Sequence, residues 1–96
     1  MIIENPLAAG DTVTIKTTAG EEIVARLVEA KPNSYVVSKP LAVMATAQGI
    51  GLGPLAFTIN PETKVEINTS AVLFVAKTDS EMAKQYVSST SGITLV

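Results

Sequence analysis

Three small polar residues, Asn68, Thr69 and Ser70, interrupt the apolar sequence INTSAVLFV and are the first candidates for chemistry. The triplet matches the acceptor pattern for N-glycosylation, which applies only to a secreted protein. It is also typical of a tight turn before a strand, because asparagine and serine side chains bond to nearby backbone groups. A third possibility is that these side chains contact a ligand. The rest of the chain decides among the three.

Catalytic side chains are scarce in this chain, which has no histidine and no cysteine. The usual general base, the commonest metal ligand and thiolate chemistry are therefore missing. Adjacent Glu21 and Glu22 point to opposite faces if they lie on a strand, and the pair of Glu62 and Glu66 has no partner base. The sequence predicts a protein that is not an enzyme and that has no metal site and no cofactor.

The composition predicts one small domain of 96 residues, of which 47% are hydrophobic but only 4% aromatic. A core of valine, isoleucine, leucine and alanine favours a β protein. The first residues lack a basic region and a long apolar stretch, so we expect no signal peptide, no membrane partner and a cytoplasmic location. This expectation disfavours glycosylation of Asn68. The net charge of −2 argues against strong, sequence-independent phosphate binding, and no pattern is specific for DNA.

Alternation of apolar and polar residues predicts strands over most of the chain. Residues 21–30 are predicted to be a strand, although their composition would also suit a helix. Pro40 interrupts the third strand and marks an edge, a bulge or a bend, because proline cannot donate to a ladder. The glycine-rich stretch AQGIGLGPLAF is predicted to be a flexible loop. The predicted strands are residues 11–18, 21–30, 35–46, a segment that starts at Pro54 or Leu55, 64–68 and 71–77.

The pattern after Lys77 is that of a helix. Thr78–Glu81 fits a capping box, and the helix is predicted to run from Asp79 to about Ser89 and to pack on the sheet. Its inner face carries three apolar residues, Met82, Tyr86 and Val87. The tail that follows is polar and then apolar. We expect it to be an extended segment that packs against another surface. The domain 1–96 thus divides into an N-terminal extension (1–10), a barrel (11–77) and a helix with a tail (78–96).

Short, strongly bent strands with hairpin connections predict a small barrel, which could be Sm-like, SH3-like or OB-like. Residues 10–27, GDTVTIKTTAGEEIVARL, resemble the first motif of Sm-like (LSm) proteins. Ala25 stands where that motif usually has a glycine, and the residues in step are Gly10, Val13, Ile15, Gly20 and Leu27. INTSAVLFV resembles the second motif through Ile67, Val72 and Val75, with Asn68-Thr69 where Arg-Gly is usual.

Nearly the whole chain is similar to small Sm-like proteins of tailed marine phages, including cyanophages. The similar features are Pro40-Leu41 after the third strand, a glycine-rich loop that ends in Gly53-Pro54, and a C-terminal helix with Tyr86. The resemblance implies a mostly β, SH3-type, five-stranded, strongly bent antiparallel barrel with a C-terminal helix. It also implies a location in the cytoplasm of a bacterial host cell, and a homo-oligomeric ring of about five to seven subunits. In such a ring the fourth strand, near 55–67, pairs with the fifth strand of the next subunit, near 71–77.

The resemblance further implies that single-stranded, uridine-rich RNA binds between two loops. Asn33 would read the edge of a base, Tyr35 would stack on it, and Asn68 with Thr69 would close the pocket. Lys31 would add positive potential once symmetry repeats it around the ring. Each residue also has a simpler interpretation, as a turn former (Asn33, Asn68), a packed side chain (Tyr35) or a solvated charge (Lys31).

An alternative function is a structural or protein-interaction ring, an adaptor of phage origin that does not bind RNA. In that case the apolar tail Ile93–Val96 would dock on a partner protein.

Overall fold

A computed structural model describes residues 7–60 and 62–90 of the chain. It contains a six-stranded antiparallel sheet and a C-terminal helix, so the prediction of a mostly β protein with a C-terminal helix is confirmed. A short 3-10 turn, Thr69–Ala71, joins the last two strands. The elements are β1 (Thr12–Thr17), β2 (Glu22–Ala30), β3 (Ser34–Thr46), β4 (Gly49–Pro54), β5 (Val65–Asn68), β6 (Val72–Lys77) and α1 (Ser80–Thr90).

The strands lie in the order β4-β3-β2-β1-β6, and β5 also pairs with β3. The 13-residue strand β3 makes this arrangement possible because its two halves have different neighbours. Its first half pairs with β5 through Ser34–Val37, and its second half pairs with β4 through Leu41–Thr46. In the part of the chain that the structure describes, no pairing joins β6 to β4 or β5, so the sheet is open.

The core lies on one face of the sheet, where the alternation of β1 and β2 places aliphatic side chains. Val13 pairs with Ala25 and Ile15 with Ile23, so these four side chains form adjacent cross-strand pairs. Partly buried aliphatic residues from β5 and β6 pack around them. The buried cluster comprises Val13, Ile15, Ile23, Ala25, Leu27 and Val37.

A β-bulge bends β3 at Pro40. Val24 of β2 pairs with Leu41 and Arg26 pairs with Ser38, so two residues of β3, Lys39 and Pro40, lie opposite the single residue between them on β2. Lys39 adopts a left-handed backbone conformation with φ of 50°, which costs a residue with a Cβ about 1 kcal/mol. The sequence prediction of an irregularity at Pro40 is confirmed, and it is a bulge.

Helix α1 packs against β3 through Tyr86, a buried residue that is not part of the core cluster. Val24 alternates with the core residues of β2 and is nevertheless only 1% exposed, and Tyr86 of α1 is 0% exposed. The Tyr86 hydroxyl donates to the backbone oxygen of Lys39 at 2.8 Å and also lies 3.3 Å from that of Ser38. The helix is therefore fixed to the bulge of β3 by its one buried side chain.

The helix begins one residue later than predicted and ends at Thr90. Asp79 caps it, because its carboxylate accepts a bond from the Glu81 backbone N–H at 3.2 Å. Thr78, the capping residue of the predicted box, instead bonds through its hydroxyl to Thr14 of β1 at 2.9 Å. Val87 was expected on the inner face with Met82 and Tyr86, but it is 44% exposed.

The glycine-rich stretch is the clearest error of the sequence prediction. Gly49–Pro54 is strand β4, which forms a hairpin with β3, and the predicted strand from Pro54 or Leu55 is absent between residues 55 and 60. Pairing with the long strand β3 outweighs the low strand propensity of glycine. Gly49 supplies the positive φ of 118° that the turn requires. A Cβ on Gly53 would lie 2.6 Å from the Met44 side chain.

The fourth strand predicted near 55–67 is therefore wrong in its extent, because only Val65–Asn68 is a strand there. The predicted extension (1–10) and tail fall partly outside the described residues, as does the proposed docking segment Ile93–Val96. No helix in residues 7–60 and 62–90 is long and apolar enough to cross a membrane.

Candidate functional site

The two polar turns singled out in the sequence lie side by side. The pairing of β3 with β5 places Ser34 opposite Asn68 and Tyr35 opposite Ile67. The backbone N–H of Thr69 donates to the backbone oxygen of Asn33 at 2.9 Å, and the Thr69 hydroxyl lies 3.2 Å from the same oxygen. The fold thus brings Asn33 to Asn68 and Thr69, from which it is 35 and 36 positions away in the sequence.

Asn68 forms the turn that its residue type predicts. Its side-chain oxygen accepts a hydrogen bond from the Ser70 backbone N–H at 2.8 Å, which caps the 3-10 turn Thr69–Ala71. In the part of the chain that the structure describes, its side-chain nitrogen makes no hydrogen bond. The turn interpretation of the Asn68-Thr69-Ser70 triplet is confirmed.

Asn33 is exposed and holds the neighbouring turn through its backbone alone. Within residues 7–60 and 62–90 its side chain makes no hydrogen bond. The amide group can therefore donate and accept without any cost to the fold. This is the property expected of a residue that reads the edge of a base.

Tyr35 is two residues after Asn33 and is partly buried, with its ring packed against the core cluster. The packing interpretation of this residue is therefore correct for part of the ring. Its backbone pairs with Ala30 on one side and with Ile67 on the other, so the strand position of the ring is fixed on both edges. Tyr35 and Ile67 form the cross-strand pair next to that of Ser34 and Asn68.

Lys31 forms an ion pair with Glu66, a residue that was not predicted to lie at this site. Its ammonium nitrogen lies 3.5 Å from Glu66 Oε2, and the Ser34 hydroxyl donates to the same oxygen at 2.6 Å. The Ser34 hydrogen bond, and then the Lys31 charge, hold the pKa of the Glu66 carboxyl below its usual range. The negative charge of Glu66 offsets that of Lys31, so the positive potential predicted from Lys31 is reduced.

Strand register explains why Glu66 was missed. Val36 pairs with Glu66 and Ser34 pairs with Asn68, which makes Ser34 and Glu66 diagonal neighbours across β3 and β5. Both strands have polar residues at alternate positions, which is compatible with a contact between Ser34 and Glu66. This contact can be predicted only when the register of the two strands is known.

The described residues contain no group of three or more histidine, cysteine, aspartate or glutamate side chains that could hold a metal ion. Glu21 precedes β2 and Glu22 is its first residue, while Glu66 bonds to Ser34 and Lys31. The side chains near the two turns are the exposed Asn33 and Asn68 amides, the partly buried Tyr35 ring and the ion pair of Lys31 with Glu66.

Comparison with known proteins leaves the family of this chain open: no protein-family model matches it, and no curated protein is similar to it.

Proposed function

We propose that this protein is an Sm-like subunit that assembles into a homo-oligomeric ring and binds single-stranded RNA at the site formed by Asn33, Tyr35, Asn68 and Thr69. The observation that carries the proposal is the direct contact between the two loops, in which Thr69 bonds to the backbone of Asn33. A base that enters there meets the Asn33 amide and the exposed part of the Tyr35 ring. Stacking on an aromatic side chain contributes about 1–3 kcal/mol per base.

The order of the strands supports the Sm-like part of the proposal. β6 follows β5 through the 3-10 turn but lies at the opposite edge of the sheet, beside β1. β2 and β3 both carry bulges, near Val28 and at Pro40, which give the sheet the strong bend that a small barrel needs. Assembly with neighbouring subunits would then continue the sheet from one molecule to the next.

The edge strand β6 supports the ring. It pairs with β1 on one side only, and two of its large apolar side chains, Leu73 and Phe74, are 63% and 54% exposed. Val72 and Val75 pack against the core cluster, whereas Phe74 and Leu73, which lies in a bulge opposite Lys16 and Thr17, leave apolar surface beside a free edge. A strand of this kind invites pairing with another strand. In the proposed ring its partner is the outer edge of β4 and β5 of the next subunit.

The test of RNA binding is a titration of fluorescently labelled oligo-U and oligo-A at low and at moderate salt. We expect saturable binding that weakens as salt increases, because phosphate contacts release counterions. Asn33→Ala should weaken binding about tenfold, which corresponds to about 1.4 kcal/mol. Tyr35→Leu keeps an apolar side chain against the core but removes the stacking surface, and it should weaken binding by at least as much.

Two further variants make this test specific. Gln85→Ala removes an exposed amide from helix α1, away from the two loops, and should leave RNA affinity unchanged. Glu66→Gln removes the carboxylate beside Lys31 and should strengthen binding several-fold, because phosphate is no longer repelled. Equal losses for Asn33→Ala and Gln85→Ala, or the absence of binding at low salt, would contradict RNA binding at this site.

A structural ring without RNA binding is the second candidate, and the exposed apolar edge of β6 also favours it. This candidate forms the same ring as the RNA-binding candidate, but its two loops do not bind RNA. If the protein forms a stable ring that binds neither oligonucleotide, the ring acts as a structural or protein-interaction part.

A further inference from the structure

A cavity of about 430 Å³ lies beside the C-terminal end of α1. Its walls come from the second half of β3, from β4 and from the segment that follows β4. The lining surface is mostly apolar, with polar side chains from Lys39, Asn60 and Glu62 among others. The aliphatic lining residues are Leu41, Leu52, Leu55, Ile59 and Val65.

The last two residues of the helix, Ser89 and Thr90, also line this cavity. The ammonium group of Lys39 donates to the backbone oxygen of Thr90 at 3.1 Å, so the end of the helix is tied to the bulge of β3. A lysine at this position also interacts favourably with the negative end of the helix dipole. The chain therefore leaves α1 at the wall of an apolar cavity.

We infer that residues Ile93–Val96 of the same chain occupy this cavity. The sequence after the helix is Ser91-Gly92 followed by Ile-Thr-Leu-Val, in which three of four residues are aliphatic and three (Ile, Thr and Val) favour an extended conformation. Glycine just after a helix is a common point at which the chain changes direction. The aliphatic side chains of this segment would fill the space between the apolar walls of the cavity.

Reach favours the protein's own segment over that of another molecule. Ile93 is three positions beyond Thr90, a span of at most about 10 Å, and Val96 is within about 20 Å. A segment tethered so closely has an effective concentration in the millimolar range, far above that of a second molecule in dilute solution. Burying each aliphatic side chain stabilises by about 1.5–3 kcal/mol, which offsets the cost of about 1–2 kcal/mol for ordering each residue of the segment.

Cysteine cross-linking tests this inference cleanly, because the natural chain contains no cysteine. We would combine Leu95→Cys with Ile59→Cys in the cavity, oxidise mildly, and separate the products on a non-reducing gel. The matched control combines Leu95→Cys with Val87→Cys. Ile59 and Val87 are 45% and 44% exposed, and Val87 is much closer in sequence to position 95. A segment that samples the surface at random would therefore cross-link to position 87 at least as well.

The expected result is an intramolecular cross-link for the Ile59 pair that is at least fivefold more abundant than for the Val87 pair. Equal yields for both pairs, or no cross-link, would overturn the inference. A covalent dimer from the Ile59 pair would also overturn it, since the segment would then belong to a second copy.

A measurement on the unaltered protein guards against effects of the cysteines. Methyl nuclear Overhauser effects should connect Leu95 with Leu52 or Leu55, which line the cavity. Their absence, with the Leu95 methyl groups at random-coil shifts, would exclude occupancy of the cavity by this segment.

Discussion

Tyr86 and Tyr35 are the two tyrosines of the chain, and their surroundings give them different roles. Tyr86 is fully buried and donates its hydroxyl hydrogen to the backbone at Lys39. Tyr35 packs its ring against the core, and its hydroxyl makes no hydrogen bond within the described residues. One hydroxyl therefore contributes to the fold, and the other is free for a ligand.

Replacing Tyr86 by phenylalanine should lower the free energy of unfolding by about 1–2 kcal/mol. The change removes one hydroxyl and leaves the backbone oxygen of Lys39 without its donor. Urea denaturation followed by circular dichroism measures the difference. Tyr35→Phe is the matched control and should change stability by less than about 0.5 kcal/mol. Equal losses for the two variants would contradict the role given to the Tyr86 hydroxyl.

Stability should also fall at alkaline pH because of Tyr86. Burial raises the pKa of the Tyr86 hydroxyl above its usual value. A raised pKa in the folded state means that the folded protein holds the proton more tightly than the unfolded chain does. The resulting stabilisation is complete below the unfolded pKa of about 10 and is lost as the pH rises through the folded pKa. Thermal unfolding from pH 8 to 11 should show this loss in the natural protein and a smaller loss in Tyr86→Phe.

At the scale of the elements, the bulge at Lys39 and Pro40 joins three parts of the fold. It lets β3 change its neighbour from β5 to β4. It also presents the backbone oxygen that accepts from Tyr86 and the side chain that binds the end of α1. The left-handed conformation of Lys39 is the energetic cost of this arrangement.

Two variants at Lys39 separate its backbone from its side chain. Lys39→Ala and Lys39→Gly both lose the bond to Thr90, but only alanine keeps a Cβ in the left-handed conformation. Lys39→Gly should therefore be the more stable of the two, by about 1 kcal/mol. Chemical denaturation of both proteins checks the order. If Lys39→Ala is the more stable variant, the backbone at this position is not strained.

The sequence predicted the elements whose hydrophobic period is strong. β1, β2 and β3 follow from alternation, and α1 follows from Met82 and Tyr86 at helical spacing and from an acidic first turn. β4 could not be predicted, because its glycines have low strand propensity and it depends on pairing with β3. Gly51 and Gly53 are spaced by two residues and lie where the backbone approaches Thr46 and Met44, which is a signal visible in retrospect.

The loop residues of the candidate site were predictable, but their chemical surroundings were not. Asn33 and Asn68 were identified from residue type and from the resemblance, and the fold brings their turns into contact. The pairing of Lys31 with Glu66 depends on the register of β3 and β5, which the sequence does not specify.

At the scale of the whole molecule, the sheet is open. Its edge strands therefore need protection from pairing with strands of other molecules. β6 is a free edge with Leu73 and Phe74 exposed, and it carries few of the charges that usually prevent strands from associating. Charged and proline residues are the common protection of an edge strand, and β6 has only Lys77 at its end. This exposed apolar edge is the surface through which the proposed ring would assemble.

Leu73→Lys should disrupt the assembly. Light scattering coupled to size-exclusion chromatography should find the natural protein as a multimer. The variant should dissociate at protein concentrations roughly tenfold higher or more, because it loses the binding free energy of one central interface contact. Val87→Lys is the matched control, because Val87 is an exposed apolar residue on α1 rather than on the edge strand. A natural protein that remains monomeric at high concentration would contradict assembly through β6.

The attachment of α1 by a single buried tyrosine has a consequence for the motions of the protein. An isolated helix of 11 residues is not stable in water, so its contacts with the bulge, through Tyr86 and through the bond of Lys39 to Thr90, maintain its structure. The helix should therefore open and close as a separate unit, many times for each global unfolding event. Its amide hydrogens will exchange with solvent faster than those of β1 and β2. When the helix lifts, the backbone oxygen of Lys39 becomes transiently accessible, while the core cluster stays closed.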